Sequence, residues 1–273
     1  MTAPEKTLVL GGTGKTGRRV ASRLTARGLP VRIGSRAGTP PFDWTDPDTW
    51  APALRSVGAL YLAYQPDLAA SGAAGTVGAL AELAGRHGVR RIVLLSGRGE
   101  PAAAAAERAV AAAGPDCTVL RASWFAQNFS EGYLRDGVLA GEVALPVGDV
   151  PEPFVDADDI ADVAVAALTG DLPPGVVHEL TGPRALTFAE AVAEIAAAAG
   201  RPVRFVPVSV DEYADELTAA EVPEEVAGLL TYLFTEVLDG RNAAPTDGVR
   251  RALGRPPGDF TRYAAGAADA WRR

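Results

Sequence analysis

The feature that most constrains the fold is a glycine-rich segment, Gly11 to Gly17, between an apolar run and a helical pattern. The run, Thr7 to Leu10, has β-type composition. The pattern after the glycines carries Val20 and Leu24 and closes at Gly28. The order strand, tight turn, helix is typical of the first unit of an α/β fold.

The same alternation continues along the chain. Further strands are predicted at residues 31–34, 59–63, 92–95 and 118–120, with helices at 76–86 and 101–113 between them. One more strand, third in chain order, is expected just before Asp43. Strands that alternate with helices at this spacing predict a doubly wound parallel sheet of the Rossmann type, with helices on both faces.

The second half of the chain is mostly helical. Thr187 with Glu190, and Ser209 with Glu212, have the spacing of capping boxes at helix starts. We therefore predict a Rossmann domain over residues 1–150 and a smaller covering lobe over residues 151–273. The segment 155–170 is expected to pack back onto the first domain.

Composition excludes several classes of function. The 273 residues carry a net charge of -8, so a nucleic-acid partner is not expected. No apolar run approaches the roughly 20 residues that cross a bilayer, which argues against a membrane protein. The only cysteine, Cys117, cannot form an internal disulfide, in agreement with a cytoplasmic protein. The oligomeric state stays open.

The glycine segment has the spacing of a dinucleotide-binding loop. Three glycines stand three residues apart, at the places where a tight turn, close approach to a pyrophosphate and close helix packing each require the absence of a side chain. The helix N-terminus that follows offers free N–H groups to phosphates. The predicted cofactor-binding residues of this loop are Gly11, Thr13, Gly14, Lys15, Thr16 and Gly17. A nucleoside-triphosphate loop is excluded because Lys15 precedes the last glycine.

The end of the second strand indicates which dinucleotide is bound. An NAD site usually has Asp or Glu about 20 residues past the last glycine. Here Arg36 stands 19 residues after Gly17, next to Ser35. A guanidinium suits a 2'-phosphate, and Lys15 adds a second positive charge, so NADP(H) is predicted. The alternative is that Arg36 simply points to water. Asp43 and Trp44 are expected near the adenine.

Taken jointly, several segments resemble the NmrA-like family of atypical short-chain dehydrogenases/reductases, over nearly the whole chain. These are GGTGKTG at 11–17, Arg36, RRIVLLSG at 90–97, TVLRASWFAQNF at 118–129, PFVDADDIADVA at 153–164 and ELTGPRALTF at 179–188. The resemblance implies a Rossmann domain with NADP(H) and a small C-terminal lobe closing over the nicotinamide. Members are either reductases of quinones, azo dyes or imines, or redox-sensing regulators without turnover.

One departure from other short-chain dehydrogenases bears on mechanism. Carbonyl reductases of this type use Tyr-x-x-x-Lys as a proton relay. Between Ser96 and Cys117 this chain has neither tyrosine nor lysine. A quinone or an iminium is already activated as a hydride acceptor, so positioning alone is expected to suffice.

Further candidates follow the carboxyl ends of the strands, where ligands bind in such sheets. Ser96 is expected either to hydrogen-bond a substrate oxygen or to cap a turn. Tyr64 and Gln65 are expected beside the nicotinamide ribose. The proposed catalytic set is Ser96, Tyr64 and Asn128.

The resemblance also implies a nicotinamide pocket walled by Trp124, Phe125 and Asn128, whose aromatic rings have a core role as the alternative. Tyr133 and Tyr232 are candidate proton donors from the covering lobe, or structural residues. The histidines lack ligand partners at metal-binding spacing, so no metal site is expected.

The sequence thus predicts an NADPH-dependent oxidoreductase that passes hydride to a small conjugated electrophile, such as a quinone or imine. Two alternatives stay open. One is a regulator that binds NADP(H) and acts through a protein partner. The other is an isomerase or lyase that retains its nicotinamide cofactor.

Overall fold

A computed structural model describes residues 5–272 of the chain. The strands of this part are β1 (Lys6–Leu10), β2 (Val31–Gly34), β3 (Val57–Leu62), β4 (Arg91–Gly97), β5 (Asp116–Ala122), β6 (Glu142–Leu145), β7 (Val177–Leu180) and β8 (Arg204–Pro207). Its α-helices are α1 (Lys15–Ala26), α2 (Trp50–Leu54), α3 (Ala73–Arg86), α4 (Ala103–Ala111), α5 (Asn128–Glu131), α6 (Leu134–Ala140), α7 (Ala157–Thr169), α8 (Phe188–Ala199), α9 (Val210–Ala219), α10 (Glu224–Tyr232), α11 (Gly248–Leu253) and α12 (Phe260–Ala267).

Six strands form a parallel sheet in the order β2-β1-β3-β4-β5-β7. Its central strands are buried on both faces, which explains why they read as continuous apolar runs such as Leu8 to Leu10 and Ile92 to Leu94. The predicted Rossmann-type doubly wound sheet is therefore confirmed.

The strand expected before Asp43 is absent. Between β2 and the helical turn at Pro47–Thr49, the backbone carbonyl of Ser35 accepts hydrogen bonds from the N–H groups of Gly38 and Phe42, both at 2.9 Å. The chain turns here because Gly38 and two consecutive prolines, Pro40 and Pro41, break strand pairing. Asp43 thus follows a compact loop after the second strand.

The chain divides into two compact units, and both are discontinuous in sequence. Unit 1 comprises residues 1–122, 157–180 and 248–255, and holds the six-stranded sheet. The division falls after Ala122, where β5 ends, rather than near residue 150. The tail segment 248–255 also belongs to unit 1 because α11 packs directly on β7. A Cβ at Gly248 would lie 2.0 Å from the carbonyl oxygen of Glu179.

Unit 2 comprises residues 123–156, 181–247 and 256–273. It contains the parallel pair β6-β8 and a core rich in aromatic rings. Rings in mutual contact there include Phe129, Phe154, Phe188 and Phe260. Both predicted capping boxes are confirmed: Thr187 with Glu190 begins α8, and Ser209 with Glu212 begins α9.

Candidate functional site

The conformation of the turn between β1 and α1 depends on its glycines. Gly11 has φ +66°, a left-handed conformation that favours glycine, and its carbonyl oxygen accepts a hydrogen bond from Gly14 N–H at 2.9 Å. A Cβ at Gly12 would lie 2.8 Å from Ile33 Cγ2. Side chains are thus excluded from the inner side of the loop.

Gly17 allows α1 to pack against this turn. A Cβ at Gly17 would lie 2.2 Å from the carbonyl oxygen of Gly11 and 2.6 Å from its carbonyl carbon. Both are backbone atoms that cannot rotate away. Gly11 and Gly17 therefore need the absence of a side chain for the turn and for helix packing, as in a dinucleotide loop.

The first turn of α1 presents N–H groups without a side-chain cap. Its N-cap residue is Gly14, no side-chain hydrogen bond caps the helix, and the first turn contains no acidic residue. The positive end of the helix dipole and its N–H groups suit an anion such as a pyrophosphate. Thr13 is exposed at the loop, Lys15 is half-buried and Thr16 is buried.

Strand register brings Arg36 to the same edge of the sheet. β1 pairs with β2 in parallel, with Leu10 opposite Gly34, so that Ser35 and Arg36 leave the sheet beside Gly11. The Arg36 side chain is exposed and makes no hydrogen bond or ion pair within residues 5–272. The guanidinium is consequently available to an anionic group.

Asp43 and Trp44 follow close to this edge. The Asp43 carboxylate accepts hydrogen bonds from the backbone N–H and the hydroxyl of Thr45, at 2.9 and 2.8 Å, and these bonds with the nearby Arg36 charge lower the pKa of Asp43. The Trp44 ring packs edge-on against Tyr64, with centroids 4.8 Å apart. Gln65 is exposed beside Tyr64. Trp44 and Tyr64 therefore lie together, on the loops after β2 and β3.

Ser96 has a different surrounding from the one expected of a substrate ligand. It is buried, and its hydroxyl donates to Glu107 Oε1 at 2.7 Å. Glu107 also accepts from Arg121 Nη2 at 2.6 Å. Burial opposes ionisation of Glu107, but the hydrogen bonds from Arg121 and Ser96 outweigh it and lower its pKa. The hydroxyl proton of Ser96 is thus held by an ionised carboxylate within the fold.

Two carboxyl groups that were not predicted as site residues, those of Asp67 and Glu100, lie at the same edge of the sheet. Asp67 follows β3 and Glu100 follows the neighbouring strand β4. Their pKa values are both raised, mainly by burial, and the two side chains face each other. Acidic residues shortly after adjacent buried strands are the sequence signal that points to such a pair.

The remaining candidates all lie in unit 2. Trp124 packs against Phe234 with ring centroids 5.0 Å apart, and its backbone N–H donates to Glu152 Oε1. Phe125 forms a bridge with Val155, and Asn128 begins α5. Tyr133 is 42% exposed before α6, whereas Tyr232 is half-buried at the end of α10. Trp124, Phe125 and Asn128 are thus grouped on one short segment; Tyr133 follows a few residues later on the same stretch, whereas Tyr232 lies far along the chain.

No helix within residues 5–272 has the length and apolar character needed to cross a membrane. In the same range no group of three or more His, Cys, Asp or Glu side chains is arranged to hold a metal ion.

Several proteins similar in sequence to this chain are named as oxidoreductases. No family model matches the chain. The "uncharacterized oxidoreductase YesF" of Bacillus subtilis (strain 168) is 36% identical, over 97% of this chain and 96% of the relative. The "NAD(P)H azoreductase" of Xenophilus azovorans is 30% identical, over 97% of this chain and 98% of the relative.

Solved structures share the fold at lower identity. The triphenylmethane reductase of Citrobacter sp., crystallised with NADP(H), has a TM-score of 0.73 at 20% identity and covers 97% of this chain and 99% of its own. NmrA, described as a negative transcriptional regulator, has a TM-score of 0.71 at 17% identity, over 96% of this chain and 95% of its own. With the glycine loop and the relatives above, these findings show that the chain belongs to the NmrA-like family of atypical short-chain dehydrogenases/reductases.

Proposed function

We propose that the protein is an NADPH-dependent oxidoreductase that transfers hydride to a small conjugated electrophile. The observation that carries this proposal is the backbone cradle of Gly11, Gly14 and Gly17 with the exposed Arg36 beside it. The cradle fits a pyrophosphate and the guanidinium fits a 2'-phosphate. When bound, NADPH would supply the hydride.

Two observations support this substrate class: a missing proton-relay motif and the names of related proteins. No Tyr-x-x-x-Lys pair follows β4, so ordinary ketone reduction by that relay is disfavoured. A related protein is named for azo reduction and a structural neighbour for triphenylmethane dyes. Both names describe conjugated hydride acceptors, and we extend that class to quinones and imines for this chain.

Roles of individual residues follow from their positions. Gly11, Gly14 and the first turn of α1, with Thr13, Lys15 and Thr16, would hold the pyrophosphate. Ser35 and Arg36 would hold the 2'-phosphate. Trp44, with Tyr64 and Gln65, would line the cofactor further along the sheet edge, and Trp124, Phe125 and Asn128 would wall the acceptor. Ser96 is assigned no catalytic role because Glu107 holds its hydroxyl.

The cofactor assignment is tested with Arg36→Ala. Fluorescence titration should show the native protein preferring NADPH over NADH. The variant should bind NADPH about 10- to 100-fold more weakly, because a charge-assisted phosphate contact contributes about 1.5–3 kcal/mol. NADH affinity should not change.

The matched control is Arg86→Ala, which removes an exposed arginine of α3 that forms an ion pair with Glu82 on the surface of the same helix. It should leave both affinities unchanged. Equal affinity of the native protein for the two cofactors would contradict phosphate recognition. Tight NADPH binding without oxidation by any quinone, imine or cationic dye would contradict the reductase assignment and favour a redox-sensing regulator.

A further inference from the structure

A carboxyl pair lies at the carboxyl edge of two central strands. β3 and β4 are parallel neighbours, with Leu62 opposite Leu94, so the segments that follow them leave the sheet side by side. Asp67 is five residues past β3, and Glu100 is three residues past β4. Ligands of such sheets bind outside this edge.

The segment that leads to one member of the pair starts beside the glycine loop. A Cβ at Gly11 would lie 3.2 Å from Ala63 Cβ, so the segment that leads to Asp67 starts against that loop. All of these residues belong to unit 1.

The Glu100 side chain is folded back over the end of β4. Its Oε1 occupies the space above Gly97, where a Cβ would lie only 1.9 Å away. Its Oε2 is enclosed, and within residues 5–272 no N–H or O–H donor reaches it. Asp67 faces it, while Asp67 Oδ1 accepts a hydrogen bond from Ala69 N–H at 2.8 Å.

A single shared proton satisfies this arrangement. Two ionised carboxylates in contact repel, and an enclosed carboxylate oxygen without a donor is costly. If Glu100 keeps its proton, its O–H donates to Asp67 and both penalties disappear. Burial, followed by the negative charge and hydrogen bond of Asp67 and the charge of Glu107, raises the pKa of Glu100 to about 8.

We infer that Glu100, which shares one proton with Asp67, is the proton donor of the reduction, in place of the missing Tyr-Lys relay. This inference rests on the proposed function. Hydride addition leaves an electron pair on an oxygen or nitrogen of a quinone or azo acceptor. The O–H bond of the carboxyl pair breaks, the proton joins that atom, and the pair is left with both groups ionised until water reprotonates it.

The shared proton is measured first, without cofactor. Infrared spectroscopy of the full chain should show the C=O stretch of a protonated carboxylic acid at pH 7, which disappears as the pH rises above about 8. The band should be absent in Glu100→Gln and present in Glu82→Gln, a control at an exposed glutamate of α3. Absence of the band from the native protein would overturn the inference.

Two acceptors then separate proton donation from hydride transfer. A quinone needs a proton after it receives hydride, so the inference replaces the expectation that positioning alone suffices for this acceptor. A cationic triphenylmethane dye becomes neutral by accepting hydride alone. Glu100→Gln should lower the quinone kcat by about 100-fold or more, in the range of general acid catalysis, and leave dye reduction unchanged. The native quinone rate should fall above pH 8, and the dye rate should not.

A second variant, which keeps Glu100, tests the inference even if Glu100→Gln fails to fold. Asp67→Asn removes the neighbouring charge that favours protonation of Glu100, so the fall in quinone rate should begin at lower pH. If Glu100→Gln reduced the quinone and the dye as fast as the native protein does, with the native pH dependence, Glu100 would not be the proton donor. If the native protein reduces neither acceptor, the proposed function fails as well, and only the infrared result would stand.

Discussion

At the residue scale, the strictest requirement in the molecule is the missing side chain at Gly17. The carbonyl group of Gly11 is 2.2–2.6 Å from the position of a Cβ there. Neither group can give way, because one begins the turn and the other lies in the first helix. The same close approach that positions the loop therefore also stabilises the fold.

Gly17→Ala tests this coupling. The added methyl group should lower the free energy of unfolding by about 1–3 kcal/mol, as overpacking does, and weaken NADPH binding by displacing the loop. Urea unfolding and fluorescence titration measure the two effects. The control is Gly75→Ala in α3, where a Cβ meets nothing within 4 Å. That change should raise stability by up to about 1 kcal/mol through helix propensity and leave binding intact. If Gly17→Ala and Gly75→Ala had the same stability and the same NADPH affinity, the close contact between Gly17 and Gly11 would not be what positions the loop.

The sequence indicates a need for glycine where the reason is local. Gly11 and Gly17 stand at fixed offsets from a strand and a helix, so their role follows from spacing alone. The hydrogen bond of Ser96 could not be predicted because its partner, Glu107, lies 11 residues further along in an alanine-rich helix. The Asp67–Glu100 contact depends on β3 and β4 being neighbours, which no local pattern specifies.

At the scale of elements, the helix starts of unit 2 depend on capping. Thr187 accepts a hydrogen bond from Glu190 N–H at 3.1 Å, while Glu190 Oε2 accepts from Thr187 N–H at 2.8 Å. Two backbone donors at the start of α8 are thereby satisfied by one pair of side chains. Capping boxes involve residues three apart, which is why both were predicted from sequence.

Removal of one cap should have a measurable cost. Thr187→Ala should lower the free energy of unfolding by about 1 kcal/mol, because a backbone N–H loses its partner. The same substitution at Thr218, whose exposed hydroxyl only donates back to Ala214 O in α9, should be neutral or slightly stabilising. Chemical denaturation of the two variants compares them directly. Equal losses would show that the hydroxyl of Thr187 does not act as a cap.

At the scale of the whole molecule, the chain returns to unit 1 twice. Residues 157–180 add α7 and β7 to it, and residues 248–255 add α11. The segment expected to pack back, 155–170, includes α7 of the first return but not β7. The second was not predicted, since 248–255 is a short helical segment whose packing on β7 depends on a distant glycine contact. Sequence patterns thus indicate most strands of the sheet but not how the chain divides into the two units.

The carboxyl pair should also govern how stability depends on pH. The folded chain keeps a proton on Glu100 up to about pH 8, whereas the unfolded chain gives it up near pH 4.5. Between these values the folded state binds more protons, so its stability falls as the pH rises. Each unit of pKa difference corresponds to about 1.36 kcal/mol, so roughly 2–4 kcal/mol should be lost between pH 5 and 8.

The amide introduced by Glu100→Gln cannot ionise, so this part of the loss in free energy of unfolding should be absent from that variant. Urea unfolding of native protein, Glu100→Gln and the surface control Glu82→Gln at a series of pH values isolates the contribution, since each variant lacks one glutamate and the one missing from the control is exposed on α3. The free energies of the native protein and the control should fall together relative to Glu100→Gln from pH 5 to 8. Parallel curves for all three would mean that Glu100 is ionised in the folded chain at neutral pH, and a proton for the acceptor would have to come from another group.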